Sequence, residues 1–177
     1  MSTSKPKLPV HLRPLTEEDA ATAHAWWRDP DVQAFSGAPL GPQDSEEFKK
    51  FFVKKYVAPD PSRVTAGIVV RKKRKLIGLI VARIEPSGRE AEYGIKIGDR
   101  DSWGKGFGTA ATKAAIDLVF ETTGIDTLYG LVDLTNERAK RCLISAGFRV
   151  CCLRYEREFL RVELTRKEWE TEKGRNS

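Results

Sequence analysis

Long apolar runs and metal-spaced cysteines and histidines are what this sequence lacks. No window approaches the roughly 18 unbroken apolar residues of a membrane-spanning helix, so no membrane partner is expected. The opening MSTSKPKLPV has no apolar signal core and reads as a frayed tail. His11 and His24 stand far from the three cysteines, Cys142, Cys151 and Cys152, so no zinc spacing arises and no metal is expected. An odd cysteine count is also a poor disulfide framework; reduced thiols and a cytoplasmic location are the expectation. Internal repeats and low-complexity segments are missing as well.

What is present suits one domain. The chain has 177 residues, 40% of them hydrophobic, enough for one sizeable core. A single domain is expected over 8–168, with flexible tails at 1–7 and 169–177. The formal net charge of +6 is spread along the chain among acidic residues. It favours an anionic cofactor or an acidic partner equally. The basic residues do not gather with aromatics into a stripe, so nucleic acid is a poor candidate partner.

Leu8 to Leu15 reads as a first strand, kept to the periphery by Pro9 and Pro14. A helix is expected from Thr16, with Asp19 completing an approximate capping box, and Asp29-Pro30 ends it. Gly37 to Pro42 reads as a loop and Gln43 to Tyr56 as a second helix, with Phe48, Phe51 and Phe52 on its apolar face. Arg63 to Val70 and Leu76 to Ile84 are rich in Val and Ile. They form a hairpin around the basic tip RKKRK. EAEYGIKI, Glu90 to Ile97, is the next strand. Ala91, Tyr93, Ile95 and Ile97 share one face; Glu90, Glu92, Gly94 and Lys96 share the other. Later come a helix to about Phe120, a strand from Ile125 to Val132, and a helix from Asn136 to Ala146 ended by Gly147. Two strands follow, Phe148 to Tyr155 and Glu158 to Thr165, and then a charged tail. A mixed α/β sheet with helices on its faces results.

Between the EAEYGIKI strand and the next helix lies DSWGKGFGTAAT. Helix starts expose N–H groups and partial positive charge, and glycines there let an anion approach the backbone. Strand, glycines and helix therefore make a pyrophosphate cradle, with Lys105 adding charge at the rim. It is neither a Walker loop, which needs GxxxxGK and then Ser or Thr, nor the GxGxxG dinucleotide fingerprint of a first strand–helix turn.

WGKGFG, Trp103 to Gly108, resembles the acyl-CoA loop of the GCN5-related N-acetyltransferases: Arg or Gln, two residues, Gly, one residue, then Gly or Ala. Trp103 takes the first position, as is common in the branch that acetylates ribosomal-protein N-termini. AEYGIKIGDRDSWGKGFGTAAT upstream, and Asn136, Ala139 and Gly147-Phe148 in NERAKRCLISAGF downstream, extend the likeness. The resemblance implies a mixed sheet of about seven strands, splayed between strands four and five and flanked by helices. It implies acetyl-CoA as cofactor, in that splay. The pyrophosphate would lie on the N–H groups of Gly104, Lys105, Gly106, Phe107, Gly108 and Thr109. The pantetheine arm would pair beside Ile95 and Ile97, near the side chain of Asn136, which is also a good N-cap residue.

Amide formation from a thioester needs a neutral amine, held reactants, a donor for the oxyanion and a fate for the thiolate. Glu92, where the ribosomal branch has glutamate, is the candidate base. The backbone N–H near Ile95 is the candidate oxyanion donor. Many family members place a tyrosine seven residues after the asparagine; here that residue is Leu143, which cannot donate a proton. Either the thiolate leaves without a side-chain acid, or a residue from another segment, Tyr155 or Tyr93 among them, serves. The acceptor implied by the branch is a protein or peptide N-terminus, whose pKa lies below that of lysine. A small amine such as a polyamine or aminoglycoside is the alternative, although Phe35 to Gln43 carries no acidic residue. A catalytically silent acyl-CoA-binding module is a third reading. Trp26, Trp27 and Phe35 are candidates to line the acceptor side, with at most one tryptophan in the core. The late strands offer a surface for a homodimer.

Overall fold

The structure, a computed structural model, is described for residues 9–36, 40–154 and 158–175. Seven strands form one sheet: β1 (Val10–Arg13), β2 (Arg63–Val70), β3 (Lys75–Ile84), β4 (Glu90–Ile97), β5 (Thr127–Asp133), β6 (Arg149–Arg154) and β7 (Phe159–Thr165). Their order is β1-β2-β3-β4-β5-β7-β6. β4 and β5 run parallel; the other neighbours are antiparallel. This is the mixed, helix-flanked sheet that the sequence implies.

The helices are α1 (Asp19–Arg28), α2 (Pro30–Gln33), α3 (Ser45–Phe52), α4 (Phe107–Thr122), α5 (Glu137–Ala146) and α6 (Arg166–Arg175). Among the described residues, none is long and apolar enough to cross a membrane. They divide the core between the two sides of the sheet. On one side Ala111, Ala115, Val119 and Phe120 of α4 meet Val10, Ile68, Ile80 and Ala91. On the other, Trp27 of α1 packs with Phe48, Phe52 and Tyr56 over Leu79. Removing such side chains from water is worth about 1.5–3 kcal/mol each.

Four local expectations are corrected. α1 starts at Asp19 rather than Thr16. The Asp19 carboxylate, clamped by Arg13 at 2.7 Å, accepts from the Thr16 N–H at 2.9 Å and holds the approach to the helix as a turn. Asp29-Pro30 ends α1 but also starts α2: Asp29 accepts from the N–H groups of Asp31 and Val32, and Pro30 takes the first helical position, where no N–H is needed. The helix expected over Gln43 to Tyr56 begins only at Ser45, capped by Asp44, and passes into a π-helical turn at Val53–Val57.

The fourth correction concerns the C-terminus. Residues from 169 were expected to be a loose tail, yet Arg166–Arg175 is helical. Trp169 stacks on Phe120 at 5.2 Å and donates its indole N–H to Asp117 at 2.8 Å. Arg166 donates to the carbonyls of Phe120, Thr123 and Ile125, groups that a helix end leaves without partners. One tryptophan in a charged stretch supplies too little periodicity to reveal this docking. Trp169→Ala should cost about 2 kcal/mol, below the full core value because the ring is only half-buried. Urea denaturation reads it as a lowered midpoint; an unchanged midpoint would mean that α6 does not dock.

Candidate active site

The parallel pairing of β4 with β5 covers only Glu90↔Thr127, Ala91↔Leu128 and Glu92↔Tyr129. β4 stays paired with β3 as far as Ile97, and β5 stays paired with β7 as far as Asp133. Beyond Glu92 the two halves of the sheet therefore part. The β5-facing edge of Tyr93–Ile97 carries no strand among the described residues. Gly130 lies just past the last paired register. A Cβ there would come within 3.2 Å of Leu143 and 3.5 Å of Val162, so both pack down onto bare backbone.

At the open end of the splay lies the glycine loop. A 3-10 turn, Arg100–Ser102, leads to Trp103, whose indole N–H donates to the Ile97 carbonyl at 2.8 Å. The Arg138 guanidinium of α5 lies 3.8 Å over the Trp103 ring. The loop is thus tied to the end of β4 and to α5. Gly104 and Gly106 have φ of 72° and 76°, the left-handed region that glycine adopts without strain. A Cβ built on either meets nothing within 4 Å, so their backbone faces open space. Gly106 caps α4 with no side-chain hydrogen bond, so the N–H groups of its first turn are not covered by a side chain. An open face, positive φ and an uncapped helix start fit an anionic phosphate group. Gly108 differs: a Cβ there would lie 3.3 Å from Cys142 Sγ, so it serves the packing of α4 on α5. Ile95 and Ile97, partly buried, pack on the α4 side of the sheet.

Asn136 accepts the Ala139 N–H at 3.0 Å and caps α5. It also lines a cavity of about 420 Å³ with Trp103, Thr135, Glu137, Arg138 and Arg141 on one side and Asp31, Ala34 and Phe35 on the other. The cavity thus joins the cofactor-loop residues to α2. Phe35 is 48% exposed. Trp26 and Trp27 are instead both buried, correcting the expectation that one would be free. A Cβ on Gly98 would strike the Trp26 ring at 2.0 Å, so that ring lies flat on the end of β4.

Leu143 is buried and belongs to the core. Tyr93 is also buried; its hydroxyl donates to Thr112 Oγ1 at 3.2 Å, and burial raises its pKa further. It is placed to hold α4 on the sheet rather than to deliver protons. Tyr155 lies outside the described residues.

Glu92 projects from the opposite face, as the alternation predicts, and pairs with Arg83 across the strands at 3.2 Å. It stands at the vertex, the last paired register of β4. Lys96, on the same face, was not singled out by motif, although its parity with Glu92 was legible. Its ammonium meets Gln33 Oε1 at 3.2 Å, Ser36 Oγ at 2.9 Å and the Trp27 ring at 4.0 Å. Desolvation, with the charge of Lys55 assisting, pulls its pKa down to about 8.

Splayed strands, an uncapped glycine loop and a half-buried carboxylate at the vertex make up the candidate site. Residues 10–149 match the acetyltransferase (GNAT) domain, and the chain belongs to that family. It is 24% identical over 139 residues, 78% of each chain, to an uncharacterized N-acetyltransferase, p20, from Bacillus licheniformis. Among solved structures it resembles a spermidine N-acetyltransferase from Vibrio cholerae in complex with CoA and spermine. The TM-score is 0.79 at 20% identity, over 93% of this chain and 99% of that one. It also resembles the aminoglycoside acetyltransferase AAC(6')-Ib in complex with an aminoglycoside and acetyl-CoA. There the TM-score is 0.73 at 18% identity, over 91% and 96%.

Asn136→Ala removes the α5 cap and should cost about 1 kcal/mol in urea denaturation of the ligand-free protein. No loss of stability would show that the Ala139 N–H has another partner.

Proposed function

We propose that this protein transfers an acetyl group from acetyl-CoA to the N-terminal amine of a protein or peptide, as the ribosomal-protein branch does. Acetyl-CoA supplies an activated thioester carbonyl. The chain's own residues do the rest. The N–H groups of Gly104 to Thr109 bind the pyrophosphate, with Lys105 at the rim. Ile95 and Ile97 flank the pantetheine arm along the free edge of β4, Asn136 contacts it, and the N–H near Ile95 is the oxyanion donor. Glu92 accepts a proton from the incoming ammonium, directly or through water, while Arg83 holds its carboxylate in place.

The observation that carries the choice of acceptor is the pairing of the carboxylates around the splay. Glu92 is held by Arg83, Glu90 by Arg161 at 2.6 Å, and Asp31 by Arg100 at 2.7 Å. Glu137 is held by Lys140. Among the described carboxylates Glu85 and Asp133 are in no ion pair, so a polycation finds two anions there rather than six, whereas a peptide N-terminus brings one amine of low pKa. The second reading is a small amine such as a polyamine or aminoglycoside. The solved neighbours, in complex with spermine or an aminoglycoside, support it, and so does a cavity of a size that takes small ligands.

A panel of peptides beginning with Ala, Ser or Met, set beside polyamines and aminoglycosides and read by mass spectrometry, should place the label on peptide α-amines. Transfer to small amines alone would select the second reading, and acetyl-CoA binding without transfer a silent module. Glu92→Gln should keep acetyl-CoA binding and lose most of the turnover; full turnover across pH would remove Glu92 from the mechanism. Gly106→Ala should weaken CoA binding about tenfold in calorimetry, because alanine resists the positive φ and its methyl enters the cradle. Gly124→Ala, where a Cβ also meets open space, is the control, and equal affinity in both would dismiss the cradle.

A further inference from the structure

We propose that Lys96 is a specificity-determining residue, a fixed cation on the acceptor face of β4 that turns away amines carrying several charges and so favours acceptors with one. The inference rests on the reading of that face as the acceptor side and deepens it.

Lys96 lies four residues beyond Glu92 on the same face of β4, in the stretch where β5 has already departed. Only Gly94 stands between them on that face, and it presents no side chain. The ammonium is tied to α1 and α2 by three neutral partners: the Gln33 amide oxygen, the Ser36 hydroxyl and the Trp27 ring. Among the described residues no carboxylate forms an ion pair with it, whereas fifteen other contacts pair a cation with a carboxylate. Below about pH 8 its charge is therefore held in place without being cancelled by a carboxylate.

The surroundings add to that field. Lys55, on the π-helical turn, acts on Lys96 as a like charge. Arg83 and Arg63, on the neighbouring strands, act in the same way on Lys55. Glu92 is occupied by Arg83, and farther along the face Glu163 is occupied by Arg149 and Arg161. Ser36 follows Phe35, so the Lys96 anchor adjoins the α2-side wall of the cavity. A second or third ammonium on the same molecule would enter the field of this cation within a screening length of about 8 Å. An acceptor with one amine, neutral when it attacks, meets no such repulsion. Discrimination built on a repulsive element is a general route to specificity.

The test compares kcat/KM for spermidine with that for a Ser-initiated peptide lacking lysine, in the wild type, Lys96→Met and Lys96→Arg. Calorimetry of spermidine binding to the free proteins accompanies it. Lys96→Met keeps an apolar stem over Trp27 and removes the charge; Lys96→Arg keeps the charge. Lys96→Met should raise the spermidine-to-peptide ratio about tenfold and tighten spermidine binding, while Lys96→Arg keeps the wild-type ratio. Higher salt should narrow the difference between wild type and Lys96→Met. An unchanged ratio in Lys96→Met, or the same rise in Lys96→Arg, overturns the proposal. Should the wild type transfer to no amine, the proposed function fails, and calorimetry still decides this one: tighter spermidine binding by Lys96→Met supports it, equal binding overturns it.

Discussion

Three backbone registers, Glu90↔Thr127, Ala91↔Leu128 and Glu92↔Tyr129, hold the two halves of this sheet together. Each half is braced independently, β4 against β3 and β5 against β7. Parting therefore leaves neither strand without a partner on its other side. What it does leave is a single edge of backbone donors and acceptors along Tyr93–Ile97. In most proteins such an edge is covered or blunted. Here it is flanked by Ile95 and Ile97 and lies beside the glycine loop, so on the proposed reading an extended ligand arm would have a pairing partner there. At the start of the splay Leu143 of α5 packs closely on Gly130, and a side chain there would make it give by a few tenths of an ångström.

The loop depends on the same geometry. β4 ends where Gly98 receives the Trp26 ring, and the chain turns through Arg100–Ser102 into Trp103. The Trp103 indole reaches back to the Ile97 carbonyl and forward to Arg138 of α5. Gly104 and Gly106 can then take left-handed backbone conformations with nothing above them, and α4 begins uncapped. An uncapped helix start exposed to water costs little; next to an anion it is a binding site.

Much of this was legible in the sequence because it is local. Alternation in EAEYGIKI placed Glu92 opposite Tyr93 and Ile95, and the glycine spacing marked the open loop before α4. Asn136 and Gly147 marked the two ends of α5. What was not legible depends on contacts between distant segments. Trp169 is anchored by Phe120 and Asp117, about fifty residues away in sequence, and no periodicity in RKEWETEKGR announces it. Both tryptophans of α1 are buried in one cluster, because Gly98 leaves room for the Trp26 ring beside Trp27. Lys96 looked like one more lysine on a polar strand face; only the fold brings Gln33, Ser36 and Trp27 around it. Tyr93 has the chemistry of an acid, and only its burial against Thr112 shows that its hydroxyl is spent on packing.

The two substrates of such a site are read by different means. A loop that binds through N–H groups depends on backbone shape, so glycine spacing reports the donor and little else. On the reading proposed above, the acceptor would meet side chains of separate elements: Glu92 and Lys96 from β4, Arg83 from β3, Phe35 after α2. Selectivity on that side follows from how those charges are balanced. Glu92 alone would attract any ammonium group. With Arg83 paired to it and Lys96 farther along the same strand, the proposed site would draw an amine to the vertex and oppose a second charge on the same molecule. Position along one strand face thus separates attraction at the reacting nitrogen from repulsion of the rest of a polycation. A net charge of +6 does not reveal that separation, because it depends on where two of the charges lie.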